Sequence, residues 1–255
     1  MALETEPLLK HRKAEPADVK PMRYLHLWRA LDTTAKAFAT GSLVTYLDLN
    51  IALQAPDAIP VVSSIRRWLF RLTVFASGIY QGHMLTIGGG TAFVLYGTPN
   101  QPNKSPWWAR FFIPLFQGSK TPEYIKRKEE YHGALDPQVK EALGASVDEM
   151  YEIQALATAP KAQRRGYARQ LIKTVTDIAR NYRLADAEGR DTWVTTSDGS
   201  AFYEAQGFEV LRVVTLGTDN PTYHGEPVKV HLMRRPAKAP VLEDAHSAGT
   251  NDAVA

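Results

Sequence analysis

The chain has 255 residues, 44% of them hydrophobic, which is enough for one full core with tails and too few for two large domains. It contains no cysteine, which excludes disulfide frameworks, thiolate metal sites and any cysteine nucleophile, so its chemistry must draw on carboxylate, histidine, tyrosine or backbone groups. A net charge of +3, with Lys and Arg spread along the chain, permits a polyanion-binding surface without demanding one, so a nucleic-acid partner is not expected.

Residues 1–21 mix acids and bases without the apolar run of a secretory leader, and residues 237–255 are rich in Ala, Asp and Pro. Both are expected to be flexible tails around a single domain over 22–236, in a protein of the cytoplasm or, alternatively, the nucleus. Tyr24 to Trp28 reads as a first strand and Ala30 to Thr40 as a short helix, followed by a connection from Asp48 to Pro60. Val61 to Tyr80 repeats its apolar residues at helical spacing. Its Arg66, Arg67 and Arg71 would each cost roughly 2.5–3.5 kcal/mol at a bilayer centre, so we read a helix on a core, with peripheral membrane contact as the alternative.

His83 to Ile87 and Thr91 to Tyr96 flank Gly88, Gly89 and Gly90, the pattern of a hairpin with a glycine turn; no helix follows, which argues against a phosphate cradle there. Asn100 to Thr121 reads as a surface excursion whose aromatic residues, Trp107 and Trp108 among them, are expected for the most part to pack back on the domain, the alternative being that some line an acceptor pocket or partner surface. Tyr124 to Glu130 and Pro137 to Leu143 suggest two short helices. Tyr151 to Thr158 forms a strand, and Pro160 then opens the run P-K-A-Q-R-R-G-Y-A-R-Q-L. That run leads into a helix whose apolar face is marked by Leu171, Ile172, Val175, Ile178, Ala179 and Tyr182. Such a helix start exposes unpaired N–H groups beside two arginines, with Gly166 allowing close approach: the chemistry of a diphosphate cradle. Asp191 to Thr196, Glu209 to Leu216 and Val228 to Met233 complete the strands of a mixed α/β sheet, and Arg234 and Arg235 read as a solvated strand end.

Gln163, Arg164, Arg165, Gly166, Tyr167 and Ala168 match Q/R-x-x-G-x-G/A, and Phe202 to Phe208 reads F-Y-E-x-x-G-F. On these two motifs the chain resembles the GCN5-related N-acetyltransferases (GNATs), clearly over Tyr151 to Arg235; residues 30–145 look most like the stand-alone small acetyltransferases of fungi. The resemblance implies an α/β fold with a mostly antiparallel central sheet, flanked by helices, whose parallel strands splay apart to admit the cofactor. It places the cofactor-binding half at about 148–236 and implies acetyl-CoA as cofactor with an amine acceptor.

Residue by residue, the resemblance implies that Gln163 to Ala168 bind the diphosphate and that Leu156, Ala157 and Thr158 pair their backbone with pantetheine. It implies that Tyr203 protonates the departing thiolate and that Glu152, eleven positions before Gln163, takes the amine proton. A strand-end carboxylate in water and a packing aromatic are the plain alternatives, and Asp148, Glu149, His83 and His132 are substitute bases. No metal site is expected. The functional expectation is direct acetyl transfer to a primary amine; the alternative is a non-catalytic acyl-CoA-binding or interaction module. The sequence is silent on the acceptor, acyl length and oligomeric state.

Overall fold

Among the described residues there are seven strands, all but the first rich in β-branched, aromatic or aliphatic residues: β1 (Lys20–Pro21), β2 (Met84–Ile87), β3 (Ala92–Gly97), β4 (Tyr151–Thr158), β5 (Thr192–Thr196), β6 (Glu209–Leu216) and β7 (Val228–Arg235). The computed structural model describes residues 18–49, 60–99, 122–181 and 189–237. The strands make one sheet in the order β1-β2-β3-β4-β5-β7-β6, antiparallel except between β4 and β5. This is the mixed sheet expected from the sequence. Its helices are α1 (Leu27–Ala37), α2 (Ser42–Val44), which runs on as a π-helical turn over Thr45–Leu49, α3 (Pro60–Tyr80), α4 (Pro122–Leu143), α5 (Tyr167–Arg180) and α6 (Ser200–Glu204).

Helix α5 covers one face because Leu171, Ile172, Val175, Thr176 and Ala179 fall on one stripe. That stripe meets Val94, Tyr96, Ile153, Val194 and Met233, and each fully buried aliphatic side chain contributes roughly 1.5–3 kcal/mol. On the opposite face α1 and α3 bring Leu27, Ala30, Leu31, Phe75 and Ala76 onto Met84, Phe93, Leu95 and Ala157. Helix α4 covers the far end of that same face, with Leu135 against Leu216, Val228 and Val230, and Leu143 against Leu232. Its anchor is Arg127, which has no exposed surface. The guanidinium donates to Glu123 at 2.6 Å, to the Tyr46 carbonyl at 2.8 Å and to the Thr222 carbonyl at 3.3 Å, between the rings of Tyr46 and Tyr223.

Three expectations change. Tyr24 to Trp28 is no strand: Tyr24–His26 is a 3₁₀ turn leading into α1, and the pairing falls one turn earlier, where Met22 N–H donates to the Met84 carbonyl at 2.8 Å. Leu27, Ala30 and Leu31 at helical spacing decide it by burying together. The two short helices before β4 are one, α4, which passes through Pro137. Proline clashes with the carbonyl four residues earlier, and that position is Gly133, whose missing Cβ gives the backbone room to yield. Arg234 and Arg235 are only partly solvated, and each is held: Arg234 pairs with Asp191 and Arg235 donates to Thr176 Oγ1 at 2.7 Å.

The glycine turn stands as expected. Gly88, Gly89 and Gly90 all have positive φ, and a Cβ on Gly90 would meet the His26 carbonyl at 2.8 Å, so the turn is wedged under α1. The α3 helix also forms as expected, and among the described residues no helix is long and apolar enough to cross a membrane. Most of the connection after Asp48, the Asn100 to Thr121 excursion, Tyr182 and most of both tails lie outside the described residues.

Candidate functional site

The site grows from the end of β4. Strands β4 and β5 pair only at Tyr151–Thr192, Glu152–Trp193 and Ile153–Val194, although β4 continues to Thr158. The cause is visible on the other side of β4: Tyr96 faces Ile153 but Leu95 faces Ala155, so Gln154 is an extra residue, a bulge that bends β4 away. Beyond it one edge of β4 is open. Ala159 N–H donates to the Thr91 carbonyl at 2.9 Å, and the two-residue period therefore turns the backbone groups of Ala157 toward β3 and those of Leu156 and Thr158 toward the open edge. Of the three residues expected to offer backbone there, two face the gap and Ala157 does not.

The open edge runs straight into the loop. After a 3₁₀ turn at Pro160–Ala162, Gln163 is extended, Arg164 has φ 60° and Gly166 φ 82°. Left-handed backbone at Arg164 costs a non-glycine residue about 1–2 kcal/mol, and such strain collects at ligand clamps. The first helical bond of α5 is Gln170 N–H to the Gly166 carbonyl at 3.0 Å, and no side chain caps the helix, so the amides of Tyr167, Ala168 and Arg169 face outward. Arg164 and Arg165 are exposed; Arg165 rests on the Lys161 carbonyl at 3.2 Å, and Gln163 donates to the Thr158 carbonyl at 3.3 Å. The hydroxyl of Thr158 is buried with no hydrogen-bond partner. An open strand edge, an orphaned hydroxyl, an uncapped helix and two exposed guanidiniums suit one long ligand with amides along an arm and a diphosphate at its end.

Tyr203, on the short helix α6, lies on the α5 side of the sheet. It is 6% exposed, edge-on to Phe202 and Phe208 at 5.2 and 5.3 Å between ring centroids. Burial pushes its phenol well above the ordinary value, so it is a donor at every physiological pH. Among the described residues no group hydrogen-bonds its hydroxyl.

Glu152 faces the other way. Its side chain lies in a cavity of about 300 Å³ between the sheet and α4, with Tyr131, Leu135, Val139, Trp193 and Thr195. Burial raises its carboxyl pKa above the usual range, against the opposing effect of Gln154, whose Nε2 donates to Glu152 at 2.9 Å. Burial likewise raises the Tyr131 phenol, which the Thr195 hydroxyl opposes. Glu152 and Tyr203 thus stand on opposite faces of the sheet, Glu152 on the paired stretch of β4 just before the gap and Tyr203 on the short helix that follows β5.

The substitute bases divide. His132 lines the same cavity, 3.4 Å from Asp136, whereas Glu149 is bound to Arg190 at 2.6 Å, Asp148 is exposed, and His83 lies tilted beside the Tyr96 ring and does not line the cavity. The sequence reading missed Tyr131, Val139, Trp193 and Thr195. Trp193 and Thr195 alternate with Val194 in an expected strand, a signal that they share one face; nothing local places Tyr131 or Val139 opposite them. It also missed His231, whose Nδ1 is buried without a partner, opposite Thr196 on the face that carries Tyr203.

Residues 130–210 match the family model described as the acetyltransferase (GNAT) domain. No curated protein matches the sequence. Among solved structures, an agmatine N-acetyltransferase mutant in its apo form is 12% identical, covering 87% of this chain and 100% of that one with a TM-score of 0.52. The C-terminal condensation domain of Ebony, in complex with beta-alanyl-dopamine, is 13% identical over 86% and 98% with a TM-score of 0.51. A structure of histone acetyltransferase HPA2 and related acetyltransferase from Corynebacterium glutamicum is 15% identical over 89% and 99%, at 0.49. At these identities the likeness is one of fold.

Proposed function

We propose that this chain, whose residues 130–210 match the acetyltransferase (GNAT) domain, moves an acetyl group from acetyl-CoA directly to a primary amine within a ternary complex. One observation carries the reading: the free edge of β4 beyond Ile153 continues into the amide-lined loop at Gln163–Ala168. Bound acetyl-CoA supplies the acetyl thioester. The outward backbone of Leu156 and Thr158 holds the pantetheine arm, with one amide polarising the carbonyl, and Arg164, Arg165 and the first amides of α5 hold the diphosphate.

Half-buried Glu152 and buried Tyr203 divide the proton work. Glu152 takes the proton of the attacking amine, directly or through a water, on the α4 side. Its raised pKa makes it a stronger base than a solvated carboxylate. Tyr203 gives a proton to the departing sulfur on the α5 side, and its elevated pKa keeps that proton in place until it is needed. The gap between β4 and β5 lets the two groups meet one reacting centre from opposite faces.

Calorimetric titration with acetyl-CoA, run beside an Arg164→Ala, Arg165→Ala double variant, tests the reading. Micromolar binding that weakens in the variant by about 10-fold or more is expected, since hydrogen bonds to charged groups are worth about 1.5–3 kcal/mol each. No binding would end the cofactor assignment. Binding without any amine-dependent release of CoA would leave a non-catalytic acyl-CoA module instead.

A further inference from the structure

We infer that the cavity beneath α4 is the acceptor site and that it takes a compact primary monoamine with an apolar or aromatic body. The inference rests on the acyl-transfer reading and names its substrate class. Glu152 lies at the sheet side of the cavity beside the β4–β5 gap, on the face opposite the α5 loop. Amine and cofactor therefore enter from opposite faces and do not compete for one mouth.

The walls set the class. Tyr131, Leu135 and Val139 from α4 face Trp193 from β5, so the body of the acceptor meets rings and aliphatic groups. The charges at the α4 rim offset each other: the Asp136 carboxylate, 3.4 Å from His132 Nδ1, is set against the Lys140 ammonium. A second ammonium, as in a polyamine, would meet a rim where Lys140 offsets Asp136 and would find no net attraction there. At about 300 Å³ the cavity is at the small end of small-molecule sites, which run from about 300 to 1,000 Å³. The recognising helix, α4, lies between β3 and β4 in sequence, apart from the loop and strand edge assigned to the cofactor, so acceptor choice and cofactor binding rest on different segments.

The test uses the full chain with acetyl-CoA and three acceptors: phenethylamine, spermidine and a short peptide with a free N-terminus. We expect kcat/KM for phenethylamine to exceed the other two at least 10-fold. Val139→Trp, which fills the cavity, should raise the phenethylamine KM at least 10-fold and leave the acetyl-CoA Kd unchanged. Lys140→Glu, a substitution at an exposed position, should improve spermidine at least 10-fold. Saturation-transfer NMR of phenethylamine with the CoA-loaded protein gives a readout independent of turnover and should lose its signal in Val139→Trp. If acetyl-CoA binds and spermidine or the peptide matches phenethylamine, acetyl transfer stands and this acceptor site is wrong. Absence of phenethylamine binding to the wild type, or binding undiminished in Val139→Trp, also overturns it. If acetyl-CoA itself does not bind, both readings fall together.

Discussion

Replacing Tyr203 by Phe removes one oxygen from a ring that is otherwise held by Phe202 and Phe208. Because no described residue hydrogen-bonds that hydroxyl, its loss strands no partner, and stability should change by no more than about 1 kcal/mol. Tyr203→Ala is a different perturbation: emptying a site that is 6% exposed should cost about 3–5 kcal/mol, by lost transfer energy and the cavity left behind. The conservative variant thus isolates the proton. General acid catalysis contributes about 10²–10⁴-fold, or roughly 3–5 kcal/mol of barrier, so Tyr203→Phe should lower kcat within that range. The acetyl-CoA Kd should stay within about twofold, because the residues proposed to hold the phosphate and pantetheine lie elsewhere. The assay is release of CoA under saturating amine across a pH series, with calorimetry and thermal melting on the same samples. Full turnover at every pH would refute the assignment of Tyr203 as the acid.

Glu152→Gln should lower kcat by about 10²–10⁴-fold, and the acidic limb of the wild-type pH–rate profile should lie above the ordinary carboxylate range. The sign for stability is opposite: with the folded pKa raised, wild-type stability falls as pH rises through it, so the Gln variant should melt higher than wild type at neutral pH. Gly166→Ala forces an L-residue to φ 82°, and denaturant titration should show a loss of about 1–2 kcal/mol, with acetyl-CoA binding weakened about tenfold. Arg127→Met removes the donor to the buried Tyr46 carbonyl and the cation beside the Glu123 carboxylate, and chemical unfolding should register a loss of about 3–5 kcal/mol.

The elements around the proposed cofactor site were legible in the sequence because they are consecutive. Strand β4, the Gln163–Ala168 loop and the amphipathic stripe of α5 follow one another, and each is specified by its own residues. What escaped depends on distant contacts. Nothing near Tyr131 announces that it will face Thr195, some sixty positions on, since that pairing is made by α4 folding over the sheet. Pro137 gave a local stop signal that α4 overrides, helped by Gly133. Tyr24 to Trp28 carries strand-like residues, yet the helical spacing of Leu27, Ala30 and Leu31 buries more of them. The bulge at Gln154, which opens the gap, has no signature at all: it is a mismatch of length between β3 and β4, visible only once they are paired.

That mismatch also makes the sheet mechanically discontinuous. Four strands on one side and three on the other are stitched along a seam of three residue pairs, with the α5 face spanning the join beneath. A ligand laid along the exposed edge of β4 would act as a partial eighth strand and stiffen the seam. Occupancy and rigidity would then rise together, and amide hydrogen exchange in Ala155 to Thr158 would slow in step with saturation. The protein would reach its full stiffness only when charged with the group it is to deliver.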